Sequence, residues 1–209
     1  MRMRALETIQ KERMIMAVKS DKELDIALRS KPTVIFLLYG DIMTLPQVVQ
    51  RIQGRRKMAI VHLDLIMGLS SHEMTVDYLQ RVIQADGIIT THPNLAAKAH
   101  ENHFFSILRY FLLDSLSLRT LQSQVDKHRP TVLEVLPGII PTVIPAIQEK
   151  VDIPIIAGGF IRTQEQGLAV LEHGGLALSS SSADLWAQAD RFVLPHDPES
   201  KSLPEGIHR

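Results

Sequence analysis

Three charged residues, Asp64, Arg109 and Glu134, lie within apolar, β-branched runs of the sequence, where isolated charges are costly. Such groups must therefore pair with one another or meet a ligand. Arg109 and Glu134, on neighbouring predicted strands, can form an ion pair, either as part of a site or only to hold strand register. Asp64 falls at the carboxyl end of its predicted strand, where barrel proteins build their sites. His62 and Asp64 have the spacing of a metal-ligand pair, but no third ligand follows, so we predict no metal site.

Glycine and serine residues mark the ends of the last two predicted strands. Gly158-Gly159 follows one strand, and a run of four serines at 179–182 closes the next. In barrels these two loops often bind phosphate, because glycines let backbone N–H groups approach the anion and hydroxyls add donors. A glycine turn followed by a serine-capped helix is the structural alternative. The predicted contributors to an anion site are Lys19, Gly138, Gly158, Gly159, Ser180 and Ser181.

The strongest local basic run is 51–57, which carries Arg51, Arg55, Arg56 and Lys57 and no acidic residue. It precedes a predicted strand, so we expect it at the end of the fold opposite the anion site. Four cations can contact several phosphates of a nucleic acid. A solvated charged loop is the alternative explanation for such a cluster.

The residues above must be positioned by secondary-structure elements, and strand-like and helix-like segments alternate regularly along the chain. Near-continuous apolar strands, each followed by a helix, indicate a parallel sheet covered on both faces. Eight such units predict an α/β fold, a compact single-domain (β/α)8 TIM-type barrel, with an open doubly wound sheet as the alternative. We expect an N-terminal extension at 1–13, the barrel at 14–192 and a flexible C-terminal tail at 193–209. The predicted strands are 14–18, 33–39, 58–65, 87–91, 105–113, 131–136, 153–157 and 176–181.

Helix starts carry capping signals, in which a hydroxyl precedes a Glu or Gln by three residues. The predicted pairs are Ser20 with Glu23, Ser70 with Glu73, and Thr163 with Gln166.

Composition excludes several classes of protein. The 209 residues hold 23 Lys and Arg against 23 Asp and Glu, so any nucleic-acid contact must use a local patch. The absence of cysteine excludes a disulfide scaffold and a cysteine nucleophile. The charged start of the chain has no signal-peptide pattern, and no apolar run reaches 18 residues. We therefore expect a cytoplasmic protein without a membrane partner.

Six segments follow one another in a specific order and spacing: HLDLIMGL at 62–69, GIITT at 87–91, LRYFLLDSLSL at 108–118, EVLPGIIP at 134–141, IPIIAGGFIRT at 153–163 and SSSSADLW at 179–186. In these segments the chain resembles the bacterial glycerol uptake operon antiterminator regulatory proteins. The resemblance extends from about Met14 to Trp186. Two positions depart from the family pattern, with Met16 in place of a proline and His92 in place of a lysine.

The resemblance implies a barrel without enzymatic activity or cofactor, which senses glycerol 3-phosphate as its effector. It further implies transcription antitermination through binding of the leader mRNA of glycerol-utilisation operons. On the barrel argument above, we expect the glycine and serine loops to hold the phosphate and Asp64 and Glu134 to hold the hydroxyls. The alternative function is that of an isomerase- or aldolase-type enzyme for a small phosphorylated substrate. The sequence also leaves open a homodimer, which would present two basic patches to one RNA.

Overall fold

The computed structural model describes residues 2–193 and contains eight parallel strands and nine α-helices in that range. The strands pair in chain order, and the last pairs with the first to close a barrel. The predicted single-domain (β/α)8 barrel is confirmed. The strands are β1 (Met14–Val18), β2 (Val34–Leu37), β3 (Met58–His62), β4 (Gly87–Thr90), β5 (Ser106–Phe111), β6 (Val132–Leu136), β7 (Ile155–Gly158) and β8 (Ala177–Ser180). The helices are α1 (Arg2–Glu12), α2 (Asp21–Arg29), α3 (Leu45–Gln53), α4 (Glu73–Arg81), α5 (Pro93–Glu101), α6 (Ser115–His128), α7 (Ile144–Gln148), α8 (Gln164–Glu172) and α9 (Ala183–Ala187).

Two apolar clusters hold the barrel together, one on each face of the sheet. Strand side chains alternate between the faces, so each strand contributes to both clusters. The outer cluster lies between the strands and helices α2 to α9. The inner cluster fills the barrel and contains Ile15, Val34, Phe36, Ile60, Ile89, Ile107, Val132 and Ile156. The barrel interior is therefore a packed core, and a ligand must bind at one of its ends.

Helix α1 closes the amino-terminal end of the barrel. Its buried residues Ala5, Leu6 and Ile9 belong to the same cluster as the interior residues Ile15 and Phe36. Helix α1, which falls in the expected extension 1–13, thus contributes three residues to the barrel core. The expected C-terminal tail lies, from residue 194 onward, outside the described residues.

The two ends of the barrel carry different sets of loops. Loops that lead from a strand into the next helix lie at the carboxyl-terminal end, the mouth. Loops that lead from a helix into the next strand lie at the amino-terminal end, the base.

Across residues 2–193, no helix combines the length and the apolar character needed to span a membrane.

Helix starts confirm two of the three capping predictions. The Ser20 hydroxyl accepts the Glu23 N–H, and Thr163 and Gln166 form a reciprocal capping box. The Ser70 prediction is wrong, because α4 begins at Glu73 and His72 is its N-cap. The Nδ1 atom of His72 accepts the Met74 N–H at 3.1 Å.

Candidate functional site

A cavity of about 680 Å³ opens at the mouth, among the carboxyl ends of β1, β2 and β5 to β8. This volume lies within the range of small-molecule sites. Six of the sequence-predicted site residues line it together: Lys19, Arg109, Glu134, Gly159, Ser180 and Ser181.

Glu134 carries the buried negative charge of this cavity. Its Oε2 atom accepts the Arg109 Nε–H at 2.7 Å, and its Oε1 atom accepts the Ser179 hydroxyl at 2.7 Å. Glu134 is fully buried and the Arg109 side chain is 10% exposed, so the pair is shielded from water. Arg109 lies opposite Glu134 in the β5–β6 pairing, which explains the contact predicted from adjacent strands. Each carboxylate oxygen has two acceptor positions, and these contacts use one on each oxygen.

Gly158 makes room for that carboxylate and does not itself line the cavity. A Cβ atom at Gly158 would lie 2.4 Å from the Ser179 Oγ atom and 2.7 Å from the Glu134 Oε1 atom. Gly138 is also outside the lining, and a Cβ there would lie 2.8 Å from the Gly158 nitrogen. These two glycines permit close backbone packing beside the cavity, whereas the sequence analysis placed them against the anion.

The rim of the cavity is polar and joins the first strand to the last. Lys19, after β1, donates from Nζ to the Ser181 Oγ atom at 3.0 Å. Gly159 has a φ of +84°, a left-handed backbone that glycine adopts readily. Lys19, Gly159 and Ser181 therefore place a cation, a backbone turn and a hydroxyl around one opening.

The Ser180 hydroxyl is already engaged inside the protein. It donates to the Ile161 carbonyl at 2.7 Å and accepts the Ser182 N–H at 3.1 Å. The indole of Trp186 donates to the Ser180 carbonyl at 2.7 Å. Ser180 thus holds the loop after β7 against the end of β8 and positions the rim.

Nine further residues line the cavity that were not predicted as site residues, among them Ser179, Arg162 and Asp184, which add a hydroxyl or a charge. Arg162 did carry a signal, because it lies in the same loop as the glycine pair. Its exposed guanidinium has no ion pair with any of residues 2–193. The rim therefore offers Lys19 and Arg162 as cations beside one exposed acid, Asp184.

Asp64 does not line the cavity, because β3 ends at His62 and residues 63–65 turn into a 3-10 helix. Its carboxylate accepts the Thr90 hydroxyl and both the N–H and the hydroxyl of Thr91, each at 2.7 Å. Burial alone would raise the pKa of Asp64, but the hydrogen bonds from Thr91 and Thr90 outweigh it and lower that pKa below its ordinary value. Asp64 thus ties the end of β3 to the end of β4.

His62 is 2% exposed on the inner wall, and its Nδ1 atom has no hydrogen-bond partner among residues 2–193. Burial, with a further contribution from the Arg109 charge, lowers the pKa of His62 to about 4. The imidazole is therefore neutral at neutral pH.

The basic run at 51–57 presents fewer charges than the sequence analysis predicted. Lys57 is only 7% exposed, and its Nζ atom donates to the Ser30 and Pro32 carbonyls at 2.6 Å each. Arg51 forms an ion pair with Asp25. Arg55 and Arg56 remain as exposed cations without a partner within residues 2–193. The predicted four-cation contact is corrected to two, because one amine is buried and one guanidinium is neutralised.

Comparison with known proteins gives consistent matches along most of the chain. Residues 14–186 match the family described as glycerol-3-phosphate responsive antiterminator. A glycerol uptake operon antiterminator regulatory protein from Listeria monocytogenes is 33% identical, with a TM-score of 0.80 over 83% of this chain and 94% of that one. An antiterminator-related protein from Thermotoga maritima is 31% identical, with a TM-score of 0.74 over 83% and 96% of the two chains. The uncharacterized Escherichia coli K12 protein YgcP is 34% identical over 90% of this chain and 98% of its own.

Proposed function

Since the chain belongs to the glycerol-3-phosphate responsive antiterminator family, we propose that it senses glycerol 3-phosphate in the mouth cavity. In that state it binds the leader mRNA of a glycerol-utilisation operon and lets transcription continue past a terminator. It does this as a regulator and not as an enzyme.

The observation that carries the proposal is the division of the cavity into a cationic rim and a buried carboxylate floor. Lys19 and Arg162 supply positive charge at the rim, where Gly159 and Ser181 complete an opening for a phosphate. Glu134 lies at the floor, where its protein contacts use one acceptor position on each oxygen, and in the proposed complex the second positions receive the two adjacent hydroxyls of glycerol 3-phosphate. One small molecule with an anionic end and a diol end satisfies both parts.

Calorimetry with glycerol 3-phosphate tests the effector, with glycerol and inorganic phosphate as the separate halves. We expect binding of the whole molecule to exceed that of either half. Lys19→Met should weaken it about 10- to 100-fold, because a charge-assisted hydrogen bond contributes about 1.5–3 kcal/mol. Lys22→Met, an exposed lysine of α2 outside the cavity, is the matched control and should leave affinity unchanged. No heat with millimolar glycerol 3-phosphate would contradict the proposal.

Gel shifts with a glycerol-operon leader, with and without effector, test the output. Linkage requires that RNA tighten the effector by the same factor by which the effector tightens RNA. Equal effector affinity with and without leader RNA refutes the coupling. Turnover of triose phosphates at an enzymatic rate would instead support the isomerase- or aldolase-type alternative.

A further inference from the structure

Six of the connections that lead from a helix into the next strand contain a residue with a left-handed backbone. Each lies at the base, one to three residues after its helix ends and one to three residues before the strand begins. The residues are Arg13 (φ 56°), Arg56 (φ 57°), Gln84 (φ 56°), His103 (φ 54°), Arg129 (φ 45°) and Gly174 (φ 91°). They follow α1, α3, α4, α5, α6 and α8. Glycine is the usual residue for this conformation, because an L side chain crowds its own backbone there. Only α8 uses it.

Arginine at three of these positions needs a reason beyond helix capping. A cation near a helix C-terminus does interact favourably with the helix dipole. A cation in the last helical turn has that interaction without a left-handed backbone, and α6 already carries Lys127 and His128 there. The charge of Arg129 is therefore not required by its helix, and the same reasoning applies to Arg56 after Arg51.

The three arginines are available for a partner. Arg56 and Arg129 are exposed and Arg13 is half-buried. None of them forms an ion pair with another residue of the described range, 2–193. They precede β1, β3 and β6, so they are spaced around the base, and the exposed Arg4 and Lys11 of α1 add charge to the same end.

Charge and polarity differ between the two ends of the barrel. The base loops (13, 30–33, 54–57, 82–86, 102–105, 129–131, 149–154 and 173–176) hold seven Lys or Arg against three Asp or Glu. Of the seven, Lys57 is buried and Lys31 forms an ion pair with Asp190, so five cations remain for the surface. The mouth loops (19–20, 38–44, 63–72, 91–92, 112–114, 137–143, 159–163 and 181–182) hold two against three. Within these base loops, Val82 alone is a large exposed apolar residue. A cationic surface with little exposed apolar area fits a nucleic-acid backbone better than a protein partner.

We propose that Arg13, Arg56 and Arg129, here called the base ring, bind phosphates of the leader RNA. This inference rests on the proposed function and names the surface through which its RNA output acts. It places RNA at the end of the barrel opposite the effector, so the two ligands do not compete for space. Arg56 belongs to the predicted basic run, in which Lys57 is buried and Arg51 is paired with Asp25.

Glycine substitution separates RNA binding from folding at these positions. In Arg56→Gly/Arg129→Gly the left-handed backbone is relieved, so we expect the thermal midpoint to stay or rise while RNA affinity falls. The loss should be about tenfold at moderate salt, and the slope of log affinity against log salt should fall by about 1.4 to 2, for two lost phosphate contacts. Fluorescence anisotropy with a transcribed glycerol-operon leader, across salt concentrations and with saturating glycerol 3-phosphate, measures both.

Two control variants isolate the cause. Gln84→Gly relieves the same backbone without changing charge and should leave RNA affinity unchanged. Lys22→Gln/Arg119→Gln removes two exposed cations outside the base, on α2 and α6, and should leave affinity within about twofold.

Wild-type affinity and salt slope in Arg56→Gly/Arg129→Gly would overturn the base ring and leave the proposed function standing. An equal loss in Lys22→Gln/Arg119→Gln would also overturn it, since net charge would then explain the effect. A wild-type protein that binds effector but no leader RNA would overturn the RNA output together with the base ring.

Discussion

Gly158→Ala tests whether the floor of the cavity depends on a missing side chain. The new Cβ would lie 2.4 Å from the Ser179 Oγ atom and 2.7 Å from the Glu134 Oε1 atom, closer than carbon and oxygen approach. All three residues are buried, so relief of these contacts requires Ser179 or Glu134 to move toward the cavity that they line. The substitution should therefore separate the Ser179 hydroxyl from the Glu134 carboxylate.

The magnitude follows from two contributions. Forcing a methyl group into a packed site costs about 1–3 kcal/mol. Loss of a hydrogen bond to a charged group costs about 1.5–3 kcal/mol. We expect Gly158→Ala to lower the free energy of unfolding by about 3–5 kcal/mol, which a domain of this size commonly survives. Gly159→Ala, where the nearest atom is 3.3 Å away but φ is +84°, should cost only about 1–2 kcal/mol.

A double-mutant cycle identifies the cause. Ser179→Ala alone removes the same hydrogen bond and should cost about 1.5–3 kcal/mol. In the double variant the hydrogen bond is lost only once and the 2.4 Å contact with the Ser179 Oγ atom is absent, so its cost should fall below the sum by at least about 1.5–3 kcal/mol. Urea denaturation followed by circular dichroism measures all four proteins. Additive costs would refute the reasoning, because the alanine would then act without disturbing the contact of Ser179 with Glu134.

Three further outcomes follow from the buried groups. Because of His62, the protein should become less stable as the pH is lowered. The pKa of His62 in the folded protein, about 4, lies below the ordinary 6.5, so the unfolded chain takes up the proton first. The free energy of unfolding should drop by about 3 kcal/mol from pH 6.5 to pH 4. Urea titrations at several pH values should show a smaller drop in His62→Gln, and an equal pH dependence in the two proteins would contradict this. Lys57→Met should cost about 2–4 kcal/mol, because two buried carbonyls lose their donor, yet leave RNA anisotropy unchanged; a selective loss of RNA affinity would restore Lys57 as a contact. Asp64→Asn should cost about 1–3 kcal/mol, since an amide cannot accept all three donors, while effector affinity by calorimetry stays within about twofold; a large loss would return Asp64 to the site.

The barrel follows from local sequence signals, because eight apolar strands covered on both faces have few alternative arrangements. The run MIMAV forms β1 over the predicted residues 14–18. The contact of Arg109 with Glu134 was also predictable, since parallel neighbours in register bring their side chains together.

The end of β3 shows why Asp64 was harder to place. The alternating pattern of 58–65 is consistent with one strand, but the backbone turns after His62, and alternation no longer fixes the direction of the next side chains. The position of Asp64 after this turn depends on hydrogen bonds from Thr90 and Thr91. Both residues are distant from Asp64 in sequence, so no local pattern around Asp64 predicts these contacts.

The prediction of four exposed cations in the basic run was wrong for a related reason, because a sequence shows which residues are charged but not which are buried. Lys57 directly precedes β3 and extends its amine toward two carbonyls before β2. The left-handed arginines could not be found either, since arginine carries none of the turn signal that glycine gives.

The contact between Lys19 and Ser181 lies where β1 meets β8, the one pairing in the barrel that joins the two ends of the strand order. Every other neighbouring pair of strands is joined by a short stretch of chain, whereas this pair is held by noncovalent contacts alone. An effector seated between Lys19 and Ser181 would fasten this seam. The free energy of unfolding should then rise with the logarithm of effector concentration above its Kd. The supply of the metabolite would thus also set the stability of the protein that binds it.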